Sequence, residues 1–201
     1  MEQRIQSLVE AVAGRIFVPL EASGRHVHIT KVQAELLFGH GLTAKRPLSQ
    51  PGQFLCNERV TVVGPKGEFR NVAVLGPERK EAQVEISLTD SRHLGIQVPV
   101  RLSGDVRDTP GVTLVGETGR ITLDRGVMAA QRHIHLTPEA AKWFGVKDKQ
   151  VVKLRTLTAR PCIYEDVVVR VSADFAPAVH LDYDESNACG FVPGDYGRIL
   201  P

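Results

Sequence analysis

Two stretches of this chain repeat each other at a distance, and that duplication limits the fold more than any other feature of the sequence. Residues 18–39 read VPLEASGRHVHITKVQAELLFG and residues 126–145 read GVMAAQRHIHLTPEAAKWFG. Each copy has an apolar lead-in, then Arg-His-x-His, an aliphatic residue, a threonine and a short helical stretch ending in Phe-Gly. Thr30 and Thr137 are suited to cap helix N-termini, Gln33 to complete a capping box with Thr30, and Pro138 to occupy a first helical position. Gly39 and Gly145 are suited to stop those helices. Each His-x-His therefore belongs on an extended segment just ahead of a short helix. Further on, residues 83–95 (QVEISLTDSRHLG) align without gaps to residues 178–190 (AVHLDYDESNACG), which sets Glu85 opposite His180 and Gly95 opposite Gly190. The chain reads as two copies of one unit, joined near residues 110–125.

Between these motifs the text is strand-like. ERVTVVG, FRNVAVLG, AQVEISLT, IQVPVRLSG, QVVKLRTL and YEDVVVRVSA are short, rich in β-branched residues and bounded by Gly, Pro or Asp turns. Short strands with brief helices predict a mainly β fold of two similar β-barrel-like domains arising from the internal duplication, rather than a parallel α/β sheet. The first domain is expected over 23–127 and the second over 128–201. A strand at about 15–22 has no preceding partner in its own half and is assigned to the second barrel. The first 16 residues, MEQRIQSLVEAVAGRI, space Ile5, Leu8, Val9, Val12 and Ile16 for an amphipathic helix, placed at 1–14. Such a helix either docks on the fold or serves as a targeting peptide.

Composition narrows the function classes. A net charge of +2 with no Lys/Arg-rich run gives no basis for nucleic-acid binding. No apolar stretch is long enough to span a membrane, and the N-terminus lacks a secretory pattern, so a cytoplasmic protein is expected. Cys56, Cys162 and Cys189 are odd in number and far apart, which reads as small hydrophobes rather than a disulfide framework.

The chemistry is carried by histidine. Four of the seven histidines form the two His-x-His pairs. Residues two apart on a strand share a face, so both imidazoles of a pair can reach one ion. Glu85 and His180 occupy equivalent places and can each add one donor, giving His26, His28 and Glu85 in one half and His133, His135 and His180 in the other. Three protein ligands with an open position describe a catalytic zinc-type site, and cobalt, nickel or iron would suit the same donors. His40 and His93 fall outside the pattern and are read as surface or loop residues. Arg79, in GPERK just before Glu85, is the anion-binding candidate, because a guanidinium fork matches phosphate geometry. Arg25 and Arg132 are read as supporting or structural residues. Asp182, Asp184 and Glu185 either orient ligating imidazoles or form a solvated turn.

The runs RHVHIT, PLSQPGQF, VAVLGPERK, QVEIS, RHIHLT and HLDYDESNACG together resemble the PduL-type phosphotransacylases, the phosphate propanoyltransferases, along almost the whole chain. The resemblance implies two β-barrel-like domains with the active site at their interface and a di-metal centre, usually zinc. It implies transfer of a propanoyl or acetyl group between coenzyme A and inorganic phosphate: acyl-CoA and phosphate as one pair, acyl-phosphate and free coenzyme A as the other. By the same resemblance, His26, His28 and Glu85 hold the ion that faces the coenzyme A sulfur. His133, His135 and His180 hold the second ion, and Arg79 binds phosphate. Ser23, Lys45, Leu75 and Asn187 fall where coenzyme A contacts are expected. Many relatives carry arginine where this chain has Ala73, so a cationic contact is either lost or moved to Arg46, Arg70 or Lys80. Propanediol degradation, homo-oligomers, and entry into a bacterial microcompartment through an N-terminal peptide that meets its shell or lumen proteins are further implications. Two other functions would use the same ligands: a metal-dependent hydrolase and a non-catalytic metal-binding module.

Overall fold

The computed structural model describes residues 12–200. Val12 and Ala13 are helical; the rest of the helix expected over 1–14, with its possible targeting role, lies outside the described residues. The chain divides into two compact units. The first is Gly24–Gln131, and the second joins the residues before Gly24 to those from Arg132 onward.

The first unit is built on β2 (His26–His28), β3 (Ala44–Pro47), β4 (Phe54–Val63), β5 (Glu68–Gly76), β6 (Gln83–Glu85), β7 (Val100–Arg101), β8 (Val112–Val115), β9 (Arg120–Leu123) and β10 (Val127–Ala130). They form one curled sheet in the order β7-β10-β6-β2-β5-β4-β8-β9, with β3 added against β4. Two helices belong to it, α1 (Lys31–Phe38) and α2 (Leu88–Leu94). The second unit is a closed barrel in the order β1-β14-β11-β13-β12-β15. Its strands are β1 (Val18–Ala22), β11 (His133–Leu136), β12 (Val151–Leu157), β13 (Ile163–Val171), β14 (Ala178–Leu181) and β15 (Tyr196–Leu200). Its helices are α3 (Pro138–Phe144) and α4 (Tyr183–Cys189). The mainly β class and the two barrel-like units expected from the sequence are what the molecule has.

Burial follows the pleat. Along β12, Val152, Leu154 and Thr156 are buried while Val151, Lys153, Arg155 and Leu157 face outward, the period-two pattern of a sheet with one wet face. The inward residues make two separate cores. One gathers Val27, Ile29, Leu37, Val74, Leu94 and Leu114; the other gathers Val18, Ile134, Leu136, Leu154, Val169 and Leu181. All three cysteines are free, with Cys56 and Cys189 buried among these apolar side chains.

The duplication is visible strand by strand. In the first unit β2 runs antiparallel to β6, pairing His26 with Glu85, and parallel to β5, pairing His26 with Ala73. In the second, β11 runs antiparallel to β14, pairing His133 with His180, and parallel to β13, pairing His133 with Val168. The strands leading into the two His-x-His motifs are exchanged. β1 precedes β2 in sequence but pairs β14 and β15 of the second unit. β10 precedes β11 but pairs β6 and β7 of the first, which leaves residues 128–131 with that unit.

Local capping is as the sequence predicts. Thr30 accepts from the Gln33 backbone N–H and the Gln33 side chain returns to the Thr30 N–H, completing the capping box; Thr137 caps α3 with Pro138 in its first turn. Gly39 and Gly145 end α1 and α3 at φ 77° and 65°, left-handed values that would strain a residue carrying Cβ.

Candidate metal centres

Each repeat delivers its three donors through the same register. On β2, His26 and His28 flank the core residue Val27, and their neighbour on β6 supplies Glu85. On β11, His133 and His135 flank Ile134, and β14 supplies His180. In both sets one ligand atom from each residue lies within 4.8 Å of the others, close enough to share one ion. Of these six residues only His180 is not fully buried.

The first set is oriented by the backbone. His26 Nδ1 lies 2.8 Å from the Gly24 carbonyl and His28 Nδ1 lies 3.1 Å from the Leu75 carbonyl. A carbonyl only accepts, so in the neutral ring each Nδ1 carries the hydrogen and each Nε2 presents its lone pair. His26 Nε2 is 3.6 Å from Glu85 Oε2. Burial works against charge on the His26 ring, yet the Glu85 carboxylate beside it wins and its pKa is raised. For Glu85, burial works upward, but His26 overrides it and the carboxyl is held well below its usual range. His28 is pushed down to about 2 by burial, then by the charges of His26 and Arg79.

The second set has no carboxylate among its three donors. Burial, then the proximity of His133 and His180, pushes His135 down to about 2. Neither ring nitrogen of His135 has a hydrogen-bond partner among the described residues, and its ring stacks on Phe175 at 4.0 Å. Leaving a buried polar atom unsatisfied costs about 1–3 kcal/mol, and a cation at the centre of the three rings would remove that cost for the one His135 nitrogen that ligates it. Glu21 Oε2 lies 3.6 Å from His180 Nδ1. The donor sets, N₂O and N₃, fit a divalent ion with open coordination positions.

Arg79 lies where its charge acts on both His26 and His28. Its backbone N–H donates to the Ile29 carbonyl at 2.8 Å, fixing it beside the end of β2. The arginines next to the motifs are structural. Arg25 forks onto Asp90 at 2.7 and 3.0 Å and lies over the Phe69 ring, while Arg132 pairs Glu185 at 2.9 Å. Asp90 and Glu185 are equivalent positions in α2 and α4, so each ion pair ties a His-x-His strand to the helix after the third-ligand strand. Asp182 caps α4 and Glu185 closes its capping box, which is what the acidic run there does. His40 is exposed, 3.9 Å from Glu58, and His93 packs against Phe69, both apart from the two sets.

Four residues near the centres carry no signature in the sequence alone. Gln83 and Ser103 join Glu85 and Arg79 in one hydrogen-bonded group. Arg170 pairs His135 in the β11–β13 ladder, and Phe175 covers that ring. The repeat could have exposed Arg170, since Leu75 holds the matching place beside His28.

With this geometry in view, the comparisons are direct. The chain matches the phosphate propanoyltransferase family over residues 19–192. It belongs to that family. It is 51% identical over 204 residues to a phosphate propanoyltransferase of Enterococcus faecalis, covering 98% of this chain and 97% of the relative. Identity to that of Clostridioides difficile is 47% over 206 residues, covering 100% and 99%. For that of Thermotoga maritima it is 49% over 181 residues, covering 89% and 86%. Members of the phosphate propanoyltransferase family are acyltransferases, and the chain is an enzyme of that class. Among the described residues no helix is long and apolar enough to cross a membrane.

Of the positions assigned to coenzyme A by resemblance, Lys45 on β3 and Leu75 on β5 lie in the first unit, with Lys45 exposed and Leu75 half-buried. Ser23 and the exposed Asn187 on α4 lie in the second, where the Ser23 N–H donates to the Leu181 carbonyl at 2.7 Å. Ala73 pairs with Arg59 across β4 and with His26 across β2; Arg46, Arg70 and Lys80 are exposed.

Glu185 gives the second unit a pH dependence independent of any ligand. Burial, then the nearby Asp182, raises its pKa from 4.5 to about 7 despite Arg132. A carboxyl raised on folding contributes most below its unfolded pKa, and that contribution is lost as pH rises through the folded value. Between about pH 5 and pH 8 the wild type should therefore lose up to ~3 kcal/mol relative to Glu185→Gln. Urea unfolding of both proteins at a series of pH values checks this; parallel pH profiles would contradict it.

Proposed function

We propose that this chain transfers a short acyl group, propanoyl or acetyl, between coenzyme A and inorganic phosphate by direct attack, with one divalent ion, zinc by preference, in each histidine set. The observation that carries the reading is the twofold recurrence of three ligand atoms within 4.8 Å at equivalent strand positions, in a chain of the phosphate propanoyltransferase family. A structural zinc site is closed by four protein ligands; three donors in each half favour reactive ions.

Bound ions would supply Lewis acidity, offsetting charge on phosphate, on the oxyanion and on the departing thiolate. His26, His28 and Glu85 would hold one ion, and His133, His135 and His180 the other. Arg79 neutralises part of the phosphate charge and aims an oxygen, its fork suited to two phosphate oxygens at once. That matters because two anionic substrates must approach each other before any bond can form. Lys45, exposed on β3, suits the phosphates of coenzyme A, and Ser23, Leu75 and Asn187 complete its contacts. In the forward direction the new bond joins a phosphate oxygen to the acyl carbon, the carbon–sulfur bond breaks, and coenzyme A leaves as the thiolate. No cysteine belongs to either ligand set, so the reading needs no acyl-enzyme.

Work inside a microcompartment, contacts with shell or lumen proteins and a homo-oligomeric state are part of the same proposal. The deciding experiment follows the thioester absorbance of propanoyl-CoA with the purified enzyme, with and without phosphate, before and after chelation. Thioester loss that requires both phosphate and metal, with propanoyl-phosphate as product, is the expected result. Loss without phosphate would mean a hydrolase, and loss unaffected by complete metal removal would refute the metal roles.

A further inference from the structure

Gln83 is a fully buried amide, 2% exposed, directly opposite His28 in the β2–β6 ladder. Its polar atoms are engaged on three sides. Oε1 accepts from the Gly104 backbone N–H at 2.7 Å, while Nε2 donates to Ser103 Oγ at 3.0 Å and to Glu85 Oε1. The Gly104 N–H can only donate, so the amide oxygen must face it and the amide nitrogen must face Glu85. With Glu85 Oε1 engaged in this way, Oε2 is the oxygen turned toward His26 Nε2, 3.6 Å away. Ser103 extends the group: its hydroxyl also meets Arg79 Nη1 at 3.4 Å and hydrogen-bonds Glu85.

We propose that Gln83 is a positioning residue that makes Glu85 a one-oxygen metal ligand and, through Ser103, sets that carboxylate relative to Arg79. The inference rests on the reading of His26, His28 and Glu85 as a metal site. Its logic is the difference between a carboxylate and an imidazole. A carboxylate offers two equivalent oxygens and can bind one ion through either or both, so its geometry has to be chosen by a neighbour. A neutral imidazole has one ring lone pair, and the partner of its other nitrogen decides which nitrogen presents it, so it can bind an ion through one atom only. The second unit agrees: its third ligand is His180, and the position opposite His135, equivalent to Gln83, is Ala178.

The test compares wild type, Gln83→Ala and Gln83→Met, the last keeping side-chain length while removing the donor. The metal-loaded proteins are titrated with a chelator and metal per chain is counted, with His28→Ala marking loss from the first set. The Gln83 variants should release one of two ions at about 10–100-fold lower chelator concentration, with the other ion held as in wild type. KM for phosphate should rise more than KM for propanoyl-CoA, a split that general loosening of the fold would not produce. If His28→Ala loses an ion but both Gln83 variants titrate like wild type, the inference is overturned and the metal reading stands. If His28→Ala keeps the full metal content, both fall.

Discussion

Replacing Arg79 by alanine should lower phosphate-dependent turnover by about 10²–10³-fold, the range for removing one preorganised charge-stabilising group. The loss should appear as a higher KM for phosphate together with a lower kcat, because the guanidinium acts both on bound phosphate and on its approach to the carbonyl. Metal content should not change, since Arg79 is not a donor in either set and is fixed beside β2 by its backbone N–H. Arg79→Lys should recover only part of the rate, because an ammonium gives charge without the two-pronged fork. Steady-state kinetics in both substrates, with metal analysis on the same samples, checks all three expectations. A variant with wild-type phosphate KM would remove Arg79 from the phosphate site.

Much of this was legible in the sequence because the signals are local. Period two puts His26 with His28 and His133 with His135 on shared faces whatever the sheet around them. Thr30, Thr137, Gly39 and Gly145 act within one helical turn, so their roles follow from spacing alone. Glu85 and His180 are different, because neither is near its histidines in sequence. They were found only because duplication let one half be aligned to the other, and the ladders then put both directly opposite a histidine.

What could not be read depends on pairing between distant segments. Nothing local marks Gln83 as the residue opposite His28, or brings the Ser103 hydroxyl to it from 20 positions away. The exchange of lead-in strands is equally hidden: VPLEA and VMAA would suit several sheet positions, and their placement is decided by the partners available. The acidic run after His180 reads from sequence as orienting imidazoles or as a solvated turn, and contacts between distant segments give it a different role, with Asp182 capping α4 and Glu185 meeting Arg132. The run IQVPVRLSG reads as a full strand, yet only Val100–Arg101 pair as β7. Pro99 has no N–H to give a ladder, although its carbonyl accepts from Ala129 at 3.1 Å, and that limits the strand.

His28→Ala and His135→Ala should each abolish turnover, by about 10³-fold or more, since the Lewis acidity at stake is worth several kcal/mol and each ~1.4 kcal/mol is tenfold. Each should also lose one ion per chain while keeping the other, because the two sets share no residue. Their apo-proteins should nevertheless differ. In the first set the His26–Glu85 ion pair survives without metal, since buried opposite charges hold each other in place. In the second set no carboxylate is among the donors, and His135 is left with two buried nitrogens lacking partners among the described residues. Binding to the native state stabilises it in proportion to affinity, so chelation should destabilise wild type. His135→Ala has no ion in the second set to lose, so its second unit should lose less stability on chelation than that of wild type. His28→Ala keeps the ion of the second set, so its second unit should lose as much stability on chelation as that of wild type. Thermal unfolding of the three proteins, loaded and chelated, together with metal counts, separates these cases. Equal sensitivity of wild type and His135→Ala to chelation would mean that the second set does not hold an ion.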